Sequence, residues 1–567
     1  MNTDKRNEKN TGRFRILIVG GVAGGASCAT RARRLSEETE IIIFERGPNV
    51  SFANCGLPYY IGDIISEESK LIVASPEYFK DRFNIDVRVK NEVQRIDREK
   101  NEIEVLNLET GDIYSERYDA LVLSTGSSPI KPPLPGIDTP GIFTLKNIPD
   151  SRQIREWILQ KNVKRAVVVG GGFIGLEMTE NLAKRGIAVT VIEMLPQVMP
   201  PLDREMVTPV HKHLESNGVT LQLDDAVSQF RLNSEVSTIT VVTNSNKEHS
   251  CDIVILAIGV RPEVSLAREA GLDIGDLGGI KVDDQMRTND RQIWAVGDAV
   301  EVPDLVTGEP AILPLAGPAN RQGRLAADNI FGRKRRFRGV CGTAVCKVFD
   351  MVIASTGISE KRLRRLADTG HPVEYEKVYL HIANHAEYYP GAETISIKLI
   401  FTTDEGRILG AQAVGKEGVE KRIDVIAMAI QQGASVYDLE EAELCYAPQF
   451  GSAKDPVNIA GMIASNVLRG DLPIVHWQDI DISQHTLLDV RDPEELEDGY
   501  VAGAINIPLD TLRQRISELP RNNEILIYCG IGQRSYYACR ILNLNKFKAR
   551  SISGGFTSYE SNAPEQL

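Results

Sequence analysis

Cys55 lies in the stretch SFANCGLPYYIGD, between Asn54 and a Gly-Leu-Pro turn. Polar and conformationally special neighbours of this kind favour an exposed turn, in which a cysteine thiol is available for reaction. The next cysteine along the chain is Cys251, so this stretch supplies one sulfur atom. A redox role for Cys55 therefore requires a second sulfur carried by a substrate, as a disulfide or persulfide, or oxidation of the thiol to a sulfenic acid.

Cys529 begins the segment CGIGQR, which predicts a six-residue loop that runs from a strand into a helix. In such a loop successive backbone N–H groups and the helix N-terminus point at the sulfur, which stabilises a thiolate or an anionic persulfide. Arg534 closes the loop, and Arg491, which follows the strand LLDV, is expected to support it. The pattern indicates a sulfur carrier.

The remaining cysteines are interpreted as structural; they are Cys28, Cys251, Cys341, Cys346, Cys445 and Cys539. A separation of five residues in a strand puts Cys341 and Cys346 on opposite faces, which argues against a disulfide. The histidine pairs HKH and HIANH lack the further ligands that a zinc site needs, so no metal site is expected.

A strand, a glycine-rich turn and a helix begin at Arg15 in RILIVGGVAGGASCATRARRL, and the next strand ends at Glu45. Glycines in this βαβ arrangement let the backbone approach a pyrophosphate, and the acid that ends the next strand binds ribose hydroxyl groups. The usual middle glycine is Val22 here. The predicted cofactor-binding residues of this unit are Gly20, Gly21, Ala23, Gly24, Gly25, Glu45 and Arg46.

The stretch RAVVVGGGFIGLEMTENLAKRGIAVTVIEM repeats the pattern with a complete set of glycines, Gly170, Gly172 and Gly175. Two such units in one chain predict two bound dinucleotides. Glu193 ends the second strand of this unit, where it would repel a 2′-phosphate, and no arginine follows it immediately. The second unit is therefore expected to prefer NADH to NADPH.

Further buried strands lead into loops that resemble junctions between nucleotide-binding domains. The predicted cofactor-binding residues of these loops are Thr125, Gly126, Gly259, Asp298 and Ala299. Together with the two βαβ units, these motifs resemble the flavoprotein family that includes glutathione reductase and the NADH oxidases. The resemblance covers roughly residues 15–468. It implies that FAD binds the first unit, with Asp298 at the ribityl chain, and that an NAD domain is inserted into a split FAD domain.

The motifs DVRDPEE, GAINIP and CGIGQR near the C-terminal end together resemble a rhodanese domain. A chain of 567 residues is too long for one hydrophobic core, so several domains are expected. We predict an α/β protein with two Rossmann-like nucleotide-binding domains, an α+β interface domain and a rhodanese α/β domain. The predicted boundaries are a flexible tail over 1–14, the split FAD domain over 15–148 and 262–335, the NAD domain over 149–261, the dimerisation domain over 336–468, a linker over 469–475 and the rhodanese domain over 476–567.

The Cys55 stretch is similar to the active segment of the coenzyme A disulfide reductase, NADH oxidase and NADH peroxidase branch of this family, which uses one redox cysteine. Arg31 and Arg34 lie on one face of the first helix, and guanidinium groups suit the phosphates of coenzyme A. Phe83 stands where some relatives have a lysine, which is a departure from the pattern. The resemblance implies coenzyme A contacts at or near Ser27, Arg31, Arg34, Ser51, Asn54, Asn320 and Lys454.

Tyr446 lies in the stretch CYAPQFGSAKDPVN. The resemblance implies that this tyrosine reaches the flavin site of the other subunit, and hence that the protein is a homodimer. A tyrosine, with an unperturbed pKa of ~10, is uncharged at pH 7 and can therefore donate a hydrogen bond or a proton to a departing thiolate. Tyr388 and Tyr389, in NHAEYYPGA, are candidates for a second such role, and the sequence does not distinguish them.

A single-cysteine reductase joined to a rhodanese domain resembles the coenzyme A disulfide reductase–rhodanese fusions, which are also described as NADH-dependent persulfide reductases. The resemblance implies an enzyme that uses NADH and FAD to reduce coenzyme A persulfide or polysulfide sulfur to hydrosulfide. Three alternatives remain open: coenzyme A disulfide reduction with an independent rhodanese activity, an NADH oxidase, and a non-catalytic sulfur or redox sensor.

The composition excludes other classes of function. The net charge of −13 lacks the basic footprint that general nucleic-acid binding requires. No apolar run approaches the roughly 18 residues of a membrane-spanning helix, and the polar opening MNTDKRNEKNTGRFR lacks the features of a secretion signal. We therefore expect a cytoplasmic protein that binds neither nucleic acid nor a membrane.

Overall fold

The structure is a computed structural model that describes residues 13–233 and 238–562. The tail predicted over 1–14 lies almost wholly outside the described residues, as does the end of the chain from residue 563. Among the residues that are described, no helix is long and apolar enough to cross a bilayer.

The first nucleotide-binding domain is built on a parallel sheet whose strands come from two separate stretches of chain. Its central strands are apolar and buried on both faces, as parallel strands covered by helices are expected to be. One edge strand, Ile293–Ala295, follows the second domain in the chain. The strand order across the sheet is Ile293–Ala295, Ala120–Leu123, Arg15–Val19, Glu40–Glu45 and Asp86–Val89.

Helices and short antiparallel sheets surround this sheet. The helices are Gly24–Arg33, Pro76–Phe83, Ser265–Glu269 and Ala316–Ile330, whereas the short helix Leu57–Ile61 packs against the second domain. One antiparallel sheet contains Asn91–Asp97, Glu102–Asn107 and Ile113–Arg117; a second, mixed sheet contains Ile280–Lys281, Val300–Pro303 and Pro310–Ala311.

The second nucleotide-binding domain repeats the parallel arrangement. Its strand order is Thr220–Gln222, Ala188–Ile192, Arg165–Val169, Ile253–Leu256 and Ile142–Phe143. Its helices are Ile148–Gln160, Phe173–Lys184 and Arg204–Ser216, and an antiparallel sheet of Val227–Asn233, Thr238–Thr243 and Glu248–Cys251 packs on the opposite face of the parallel sheet.

The chain crosses between these two domains at an antiparallel pair, Ser127–Pro129 with Val260–Pro262. After the first crossing, Ile142–Phe143 pairs in parallel with Ile253–Leu256 of the second sheet. The residues that follow the crossing therefore already pack with the second domain, although the sequence analysis assigned them to the first.

The third domain is an antiparallel sheet flanked by helices. Its strand order is Ala344–Val348, Met351–Gly357, Ile408–Gly415, Thr394–Thr402 and Tyr375–Ala383. Its helices are Glu360–Asp368, Val419–Gln432, Val436–Glu441 and Pro456–Leu468.

The C-terminal domain is a small parallel sheet with helices. The strand order is Ile474–Val475, Ala549–Ile552, Ile525–Tyr528, Thr486–Asp489 and Ile505–Asn506, and the helices are Leu509–Arg515, Gln533–Leu544 and Gly555–Asn562. The segment predicted as a linker thus ends in Ile474–Val475, which pairs in parallel with Ala549–Ile552.

A buried lysine joins the second and third domains. The ammonium of Lys398 is fully buried and lies 2.9 Å from Asp203, 2.5 Å from Glu205 and 2.7 Å from Glu360. Burial opposes its charge, but the carboxylates outweigh that effect and raise the pKa of Lys398 well above its ordinary value. The carboxylates that lie close enough together to hold a metal ion are therefore occupied by an ammonium group.

Replacement of this lysine, Lys398→Met, leaves buried carboxylates without their central cation. We expect a loss of about 3–5 kcal/mol of stability, the usual cost of removing one partner from a buried ion pair. The measurement is the midpoint of thermal unfolding of the full chain. Lys416→Met is the matched control because Lys416 pairs only at the surface, 3.4 Å from Asp350. Equal midpoints for the two variants would contradict the argument.

Candidate active site

The turn after strand Arg15–Val19 folds so closely on its neighbours that two of its glycines have no space for a side chain. Gly20 has a φ of +94°, and a Cβ on it would lie 2.1 Å from the carbonyl oxygen of Ser124. A Cβ on Gly25 would lie 1.9 Å from the carbonyl oxygen of Gly20. The turn therefore presents bare backbone, which suits the close approach of a pyrophosphate.

Glu45 is bound to this turn from the end of the next strand. Its carboxylate accepts hydrogen bonds from the N–H of Gly21 at 3.1 Å and from the N–H of Gly47 at 2.8 Å. Arg46 lies 3.8 Å from Glu263. The position of Glu45, beside a glycine turn and at a strand end, is that of an acid that binds ribose.

The crossing between the domains lies beside the first turn. The hydroxyl of Thr125 donates to the carbonyl of Glu263 at 2.6 Å, and the hydroxyl of Ser127 donates to the carboxylate of Asp298 at 3.1 Å. Burial raises the pKa of Asp298. Of the residues predicted here, Thr125, Gly126 and Asp298 line one cavity together with Gly20, Ala23, Gly24, Glu45 and Arg46. Gly21, Gly25 and Ala299 are buried next to it.

The second glycine turn has the same backbone geometry as the first. A Cβ on Gly170 would lie 2.4 Å from the carbonyl oxygen of Ala257, and one on Gly175 would lie 1.9 Å from the carbonyl oxygen of Gly170. Gly172 differs, because a Cβ on it would meet nothing within 4 Å and would point into open space. Gly172 therefore leaves free the space that a pyrophosphate would take. Gly259, with a φ of +111°, lies at the end of the adjacent strand.

Glu193 is the counterpart of Glu45 in the second domain. Its carboxylate accepts hydrogen bonds from the N–H of Gly171 at 2.7 Å and from the N–H of Leu195 at 3.0 Å. Met194 and Leu195, which line the cavity after Glu193, are apolar and exposed. The two residues that follow Glu193 are therefore not basic, and the preference for NADH stays a prediction.

A single continuous cavity of about 1980 Å³ extends past both glycine turns. Pockets for one small ligand usually measure roughly 300–1,000 Å³. The volume, the two bare turns and the acid beside each turn therefore fit two dinucleotides, one in each domain.

Cys55 lies in a short 3₁₀ turn, Asn54–Gly56, and lines this cavity. The residue has an exposed face, but burial around the thiol raises its pKa, and the carboxylates of Glu177 and Asp298 raise it further. The charges of the chain near Cys55 therefore favour the neutral thiol. All eight cysteines are among the described residues and all are free thiols, and Cys55 is the one that lines the cavity.

Glu177 is a candidate functional residue that the sequence analysis did not select. It lies on helix Phe173–Lys184, which begins at the second glycine turn, and it lines the cavity that contains Cys55. Burial raises its pKa to about 7, and a hydrogen bond to Tyr59 opposes this rise. Burial therefore favours the protonated, neutral form of Glu177 more than it would be favoured in an exposed glutamate. The available sequence signal was an acid within the otherwise apolar stretch FIGLEM.

Tyr388 and Tyr446 form a pair on the third domain. Their hydroxyl oxygens are 2.7 Å apart, and the hydrogen bond raises the pKa of Tyr388. Tyr389 packs instead against His385, with ring centroids 5.7 Å apart. Tyr388 and Tyr446 are 75% and 49% exposed, and in the described part of this single chain neither lines the cavity that contains Cys55. The pair is therefore available to another molecule.

The residues with predicted coenzyme A contacts on the first helix lie against helix Ala316–Ile330. The hydroxyl of Ser27 donates to the side-chain oxygen of Asn320 at 2.5 Å. Arg31 forms an ion pair with Asp328 at 2.7 Å, so part of its charge is already compensated. These contacts hold the two helices together and place Ser27, Arg31 and Asn320 in one group.

Arg34 lies at the end of the same helix and is exposed. Partial burial lowers its pKa, and the neighbouring guanidinium groups of Arg324 and Arg31 lower it further. Arg34 therefore lies near two other guanidinium groups, and the three arginines form a basic patch that suits a phosphate ligand. Sequence reasoning missed Arg324, because its proximity to Arg34 depends on the packing of two helices distant in sequence.

The other residues with predicted coenzyme A contacts lie on other elements of the chain. Ser51 is buried with a φ of +45°, and its N–H donates to the carbonyl of Gly21 at 3.0 Å. Asn54 lines the cavity next to Cys55. Lys454 is exposed on the third domain, immediately before helix Pro456–Leu468.

Cys529 is fully buried at the end of strand Ile525–Tyr528. The N–H of Gly532 donates to its sulfur at 3.1 Å, and the hydroxyl of Ser535 lies 3.8 Å from it. Helix Gln533–Leu544 begins immediately after Gly532. The loop thus directs a backbone donor and a helix start toward the sulfur, which is the arrangement that stabilises an anionic sulfur.

The two arginines predicted beside Cys529 are each held by carboxylates. Arg534 makes two hydrogen bonds to Glu495, at 2.6 and 2.7 Å. Arg491 is buried, pairs with Asp489 at 2.8 Å and donates to the carbonyl of Gly499 at 2.8 Å. Arg534 therefore ties the loop to the segment that contains Glu495, whereas the hydrogen bonds of the Arg491 guanidinium lie within residues 489–499.

The sequence matches three known families over most of its length. Residues 14–314 match the pyridine nucleotide-disulphide oxidoreductase family, residues 343–455 match the dimerisation domain of that family, and residues 475–562 match the rhodanese-like domain. The predicted fold class, two nucleotide-binding domains with an interface domain and a C-terminal rhodanese domain, is confirmed. Membership of this family also confirms the predicted use of FAD and a pyridine nucleotide.

Three similar proteins extend this comparison. The chain is 36% identical to a coenzyme A disulfide reductase of Staphylococcus haemolyticus over 457 residues, which are 80% of this chain and 100% of the relative. The crystal structure of reduced CoADR-RHD from Bacillus anthracis has a TM-score of 0.94 and 48% identity, and the match covers 98% of this chain and 99% of the other. The NAD-dependent persulfide reductase from A. fulgidus has a TM-score of 0.89 and 38% identity, over 96% of this chain and 100% of the other.

The cavity with two dinucleotide turns, its single thiol and the family matches agree with one another. The chain belongs to the pyridine nucleotide-disulphide oxidoreductase family, as a flavoprotein enzyme that carries a rhodanese-like domain at its C-terminal end.

Proposed function

We propose that the protein reduces the persulfide of coenzyme A, or polysulfide sulfur carried by it, to hydrosulfide at the expense of NADH. The observation that carries this proposal is the position of Cys55, the one cysteine of the chain that lines the cavity. With no second protein thiol beside it, the other sulfur of a disulfide has to arrive on a substrate.

Coenzyme A is the proposed carrier of that sulfur. The similarity to a coenzyme A disulfide reductase and to a persulfide reductase supports this choice. The basic patch of Arg31, Arg34 and Arg324 suits the phosphates of such a ligand. In this proposal Ser27, Ser51, Asn54, Asn320 and Lys454 provide further contacts.

Cys55 performs the bond exchange. Its thiolate attacks the inner sulfur of the persulfide CoA–S–SH, a Cys55–S–S–CoA bond forms, the original S–S bond breaks and hydrosulfide leaves. FAD held beside Gly20, Glu45 and Asp298 would supply the transfer of two electrons from NADH to the mixed disulfide. With one proton, these electrons restore the Cys55 thiolate and the coenzyme A thiol, so the net reaction converts NADH, a proton and the persulfide into NAD⁺, coenzyme A and hydrogen sulfide.

The tyrosine pair is proposed to act at the cavity of a second subunit. Tyr446, with Tyr388 hydrogen-bonded to it, donates a proton to the departing sulfur and regains a proton from solvent before the next turnover. Two observations support a homodimer: the match to a dimerisation domain, and the exposure of Tyr388, Tyr446 and Phe450 on this domain.

The rhodanese domain is proposed to supply the substrate. Cys529 accepts a sulfane sulfur from polysulfide or another donor as a persulfide and transfers it to the thiol of coenzyme A. The N–H of Gly532 and the start of the following helix stabilise the anionic persulfide during this exchange.

The closest rival is reduction of coenzyme A disulfide with an independent rhodanese activity. The fused domain and the similarity to a persulfide reductase favour persulfide reduction. The basic patch counts against an NADH oxidase, because oxygen needs no phosphate site, and membership of an enzyme family counts against a sensor.

One anaerobic assay separates these functions. NADH oxidation is followed after addition of coenzyme A persulfide, coenzyme A disulfide or no sulfur compound, sulfide is measured in parallel, and air is admitted last. Oxidation only with the disulfide indicates the rival reductase, and oxidation only with air indicates an oxidase. We expect rapid oxidation with sulfide release for the persulfide.

In the Cys55→Ser variant the reduction should stop while FAD remains bound, because serine cannot exchange sulfur. Cys445→Ser, which alters the other exposed cysteine, is the control. Full reductase activity in Cys55→Ser would end the proposal.

The substitution Cys529→Ser should abolish sulfur transfer from thiosulfate or polysulfide while NADH-dependent reduction of small persulfides continues. The reason is that the two sulfur atoms act in separate steps. Sulfurtransferase assays and NADH oxidation measure the two steps independently. Cys539→Ser, in the same domain, is expected to retain both activities, and a loss of NADH oxidation in Cys529→Ser would argue against this division.

The hydrogen bond between Tyr388 and Tyr446 predicts that substitutions of Tyr388 and of its neighbour Tyr389 differ in their effect on kcat. Tyr446→Phe and Tyr388→Phe remove hydroxyls that bond to each other, whereas Tyr389→Phe removes one outside the pair. We expect the first two to lower kcat on the order of 10²-fold, the usual size of general acid catalysis, and Tyr389→Phe to change it little. Equal effects of Tyr388→Phe and Tyr389→Phe would contradict the assignment.

A further inference from the structure

The N-terminal end of helix Gly555–Asn562 is hydrogen-bonded to the backbone of the Cys529 loop. The N–H of Phe556 donates to the carbonyl of Cys529 at 2.7 Å, and the N–H of Thr557 donates to the carbonyl of Gly530 at 3.0 Å. The start of this helix therefore fixes the backbone of the first two residues of the loop.

The same helix start is also bound to the reductase part of the chain. The N–H of Tyr379 donates to the hydroxyl of Ser553 at 3.1 Å, and Nε2 of His381 lies 2.9 Å from the hydroxyl of Ser558. Both partners belong to strand Tyr375–Ala383 of the third domain. The other ring nitrogen of His381 lies 2.8 Å from the hydroxyl of Ser396, so the imidazole is held on both sides.

Two adjacent glycines lie between the contacts with the third domain and the contacts with the Cys529 loop, and neither glycine has space for a side chain. A Cβ on Gly554 would lie 2.8 Å from Cβ of Tyr379, and a Cβ on Gly555 would lie 2.3 Å from the carbonyl oxygen of Cys529. The segment is therefore in close contact with the third domain at one residue and with the reactive loop at the next. A shift of the helix at the first contact must displace the second.

His381 is suited to a fixed contact of this kind. Burial lowers its pKa to about 4, so the ring is neutral at pH 7. A neutral imidazole has one donor and one acceptor, and here each ring nitrogen faces a serine hydroxyl. The contact is thus satisfied without a charge at either end.

We propose that His381 is a positioning residue for the rhodanese reaction: the third domain holds helix Gly555–Asn562 through the His381–Ser558 contact and so keeps the Cys529 loop aligned. The inference rests on the proposed sulfur transfer for its activity measurement. It implies that sulfur transfer in this protein depends on a residue of the reductase part that does not touch the loop.

The test uses the full chain with the substitution His381→Ala. Two rates are measured at pH 7: sulfur transfer from thiosulfate to cyanide, and alkylation of Cys529 by iodoacetamide, followed on its peptide by mass spectrometry. We expect kcat for transfer and the alkylation rate each to fall on the order of tenfold, with KM for thiosulfate changed less than about twofold, the scale of one lost hydrogen bond. NADH-dependent reduction should stay within about twofold of the unaltered protein, since the helix lies outside the Cys55 cavity.

Two further variants separate positioning from general stability. His381→Gln keeps a side-chain amide near Ser558 and should restore most of both rates. Thr208→Ala removes a 3.0 Å hydrogen bond from the second domain to the carbonyl of Ser561, at the far end of the same helix, and should leave both rates nearly unchanged. Ser558→Ala removes the hydroxyl of the rhodanese domain from the same contact and should lower both rates as much as His381→Ala does.

Unchanged rates in His381→Ala would overturn the inference. A parallel loss of sulfur transfer and NADH-dependent reduction in both His381→Ala and Ser558→Ala would also overturn it, because the contact would then stabilise the whole chain. Alkylation of Cys529 does not require sulfur transfer. If the unaltered protein transferred no sulfur, the proposed function would fail, and the alkylation rates would still decide whether His381 positions the loop.

Discussion

The reaction that we propose depends on a single thiol at a cavity shared by two dinucleotide turns. A disulfide bond needs two sulfur atoms, and Cys55 is the one cysteine of the chain in the lining of that cavity. In the proposed reaction the substrate therefore has to bring a sulfur atom, and the basic patch of Arg31, Arg34 and Arg324 is proposed to bind the phosphates of its carrier. The charges near Cys55 favour the neutral thiol, so the thiolate has to be stabilised by a ligand or by the bound cofactor.

The two nucleotide-binding domains share one geometry of strand, glycine turn and helix. In each, a glycine with positive φ and a second glycine pressed against its carbonyl let the strand turn directly into the helix. In each, the acid at the next strand end accepts hydrogen bonds from the N–H groups of the turn. The position of Glu177 results from this arrangement, because the helix that begins at the second turn places it in the lining of the cavity with Cys55.

Polar contacts in buried positions join the domains to one another. Lys398 connects Asp203 and Glu205 of the second domain to Glu360 of the third. His381 and the backbone of Tyr379 connect the third domain to the rhodanese domain. Such contacts require defined partners in defined directions, so they specify one relative placement of the domains more narrowly than apolar packing does. The rhodanese domain is therefore docked against the reductase part of the chain.

The local features of this protein were predictable from its sequence. The two glycine turns, the acids Glu45 and Glu193 and the six-residue loop after Cys529 depend on spacing within about thirty residues, and apolar runs predicted the strands that carry them. The family resemblance added the order of the domains, which the comparisons confirmed. These features share one property: the residues that form them are neighbours in the chain.

The tertiary structure decided which distant residues meet. It paired Tyr388, and not Tyr389, with Tyr446, brought Arg324 beside Arg34, and placed Ile142–Phe143 in the second sheet. It also bound the rhodanese helix to His381, for which no pattern in the sequence gives a signal. The physical reason is that periodicity and spacing report on the conformation of one segment. Contacts between segments depend on how whole domains pack, and that information is distributed over the entire chain.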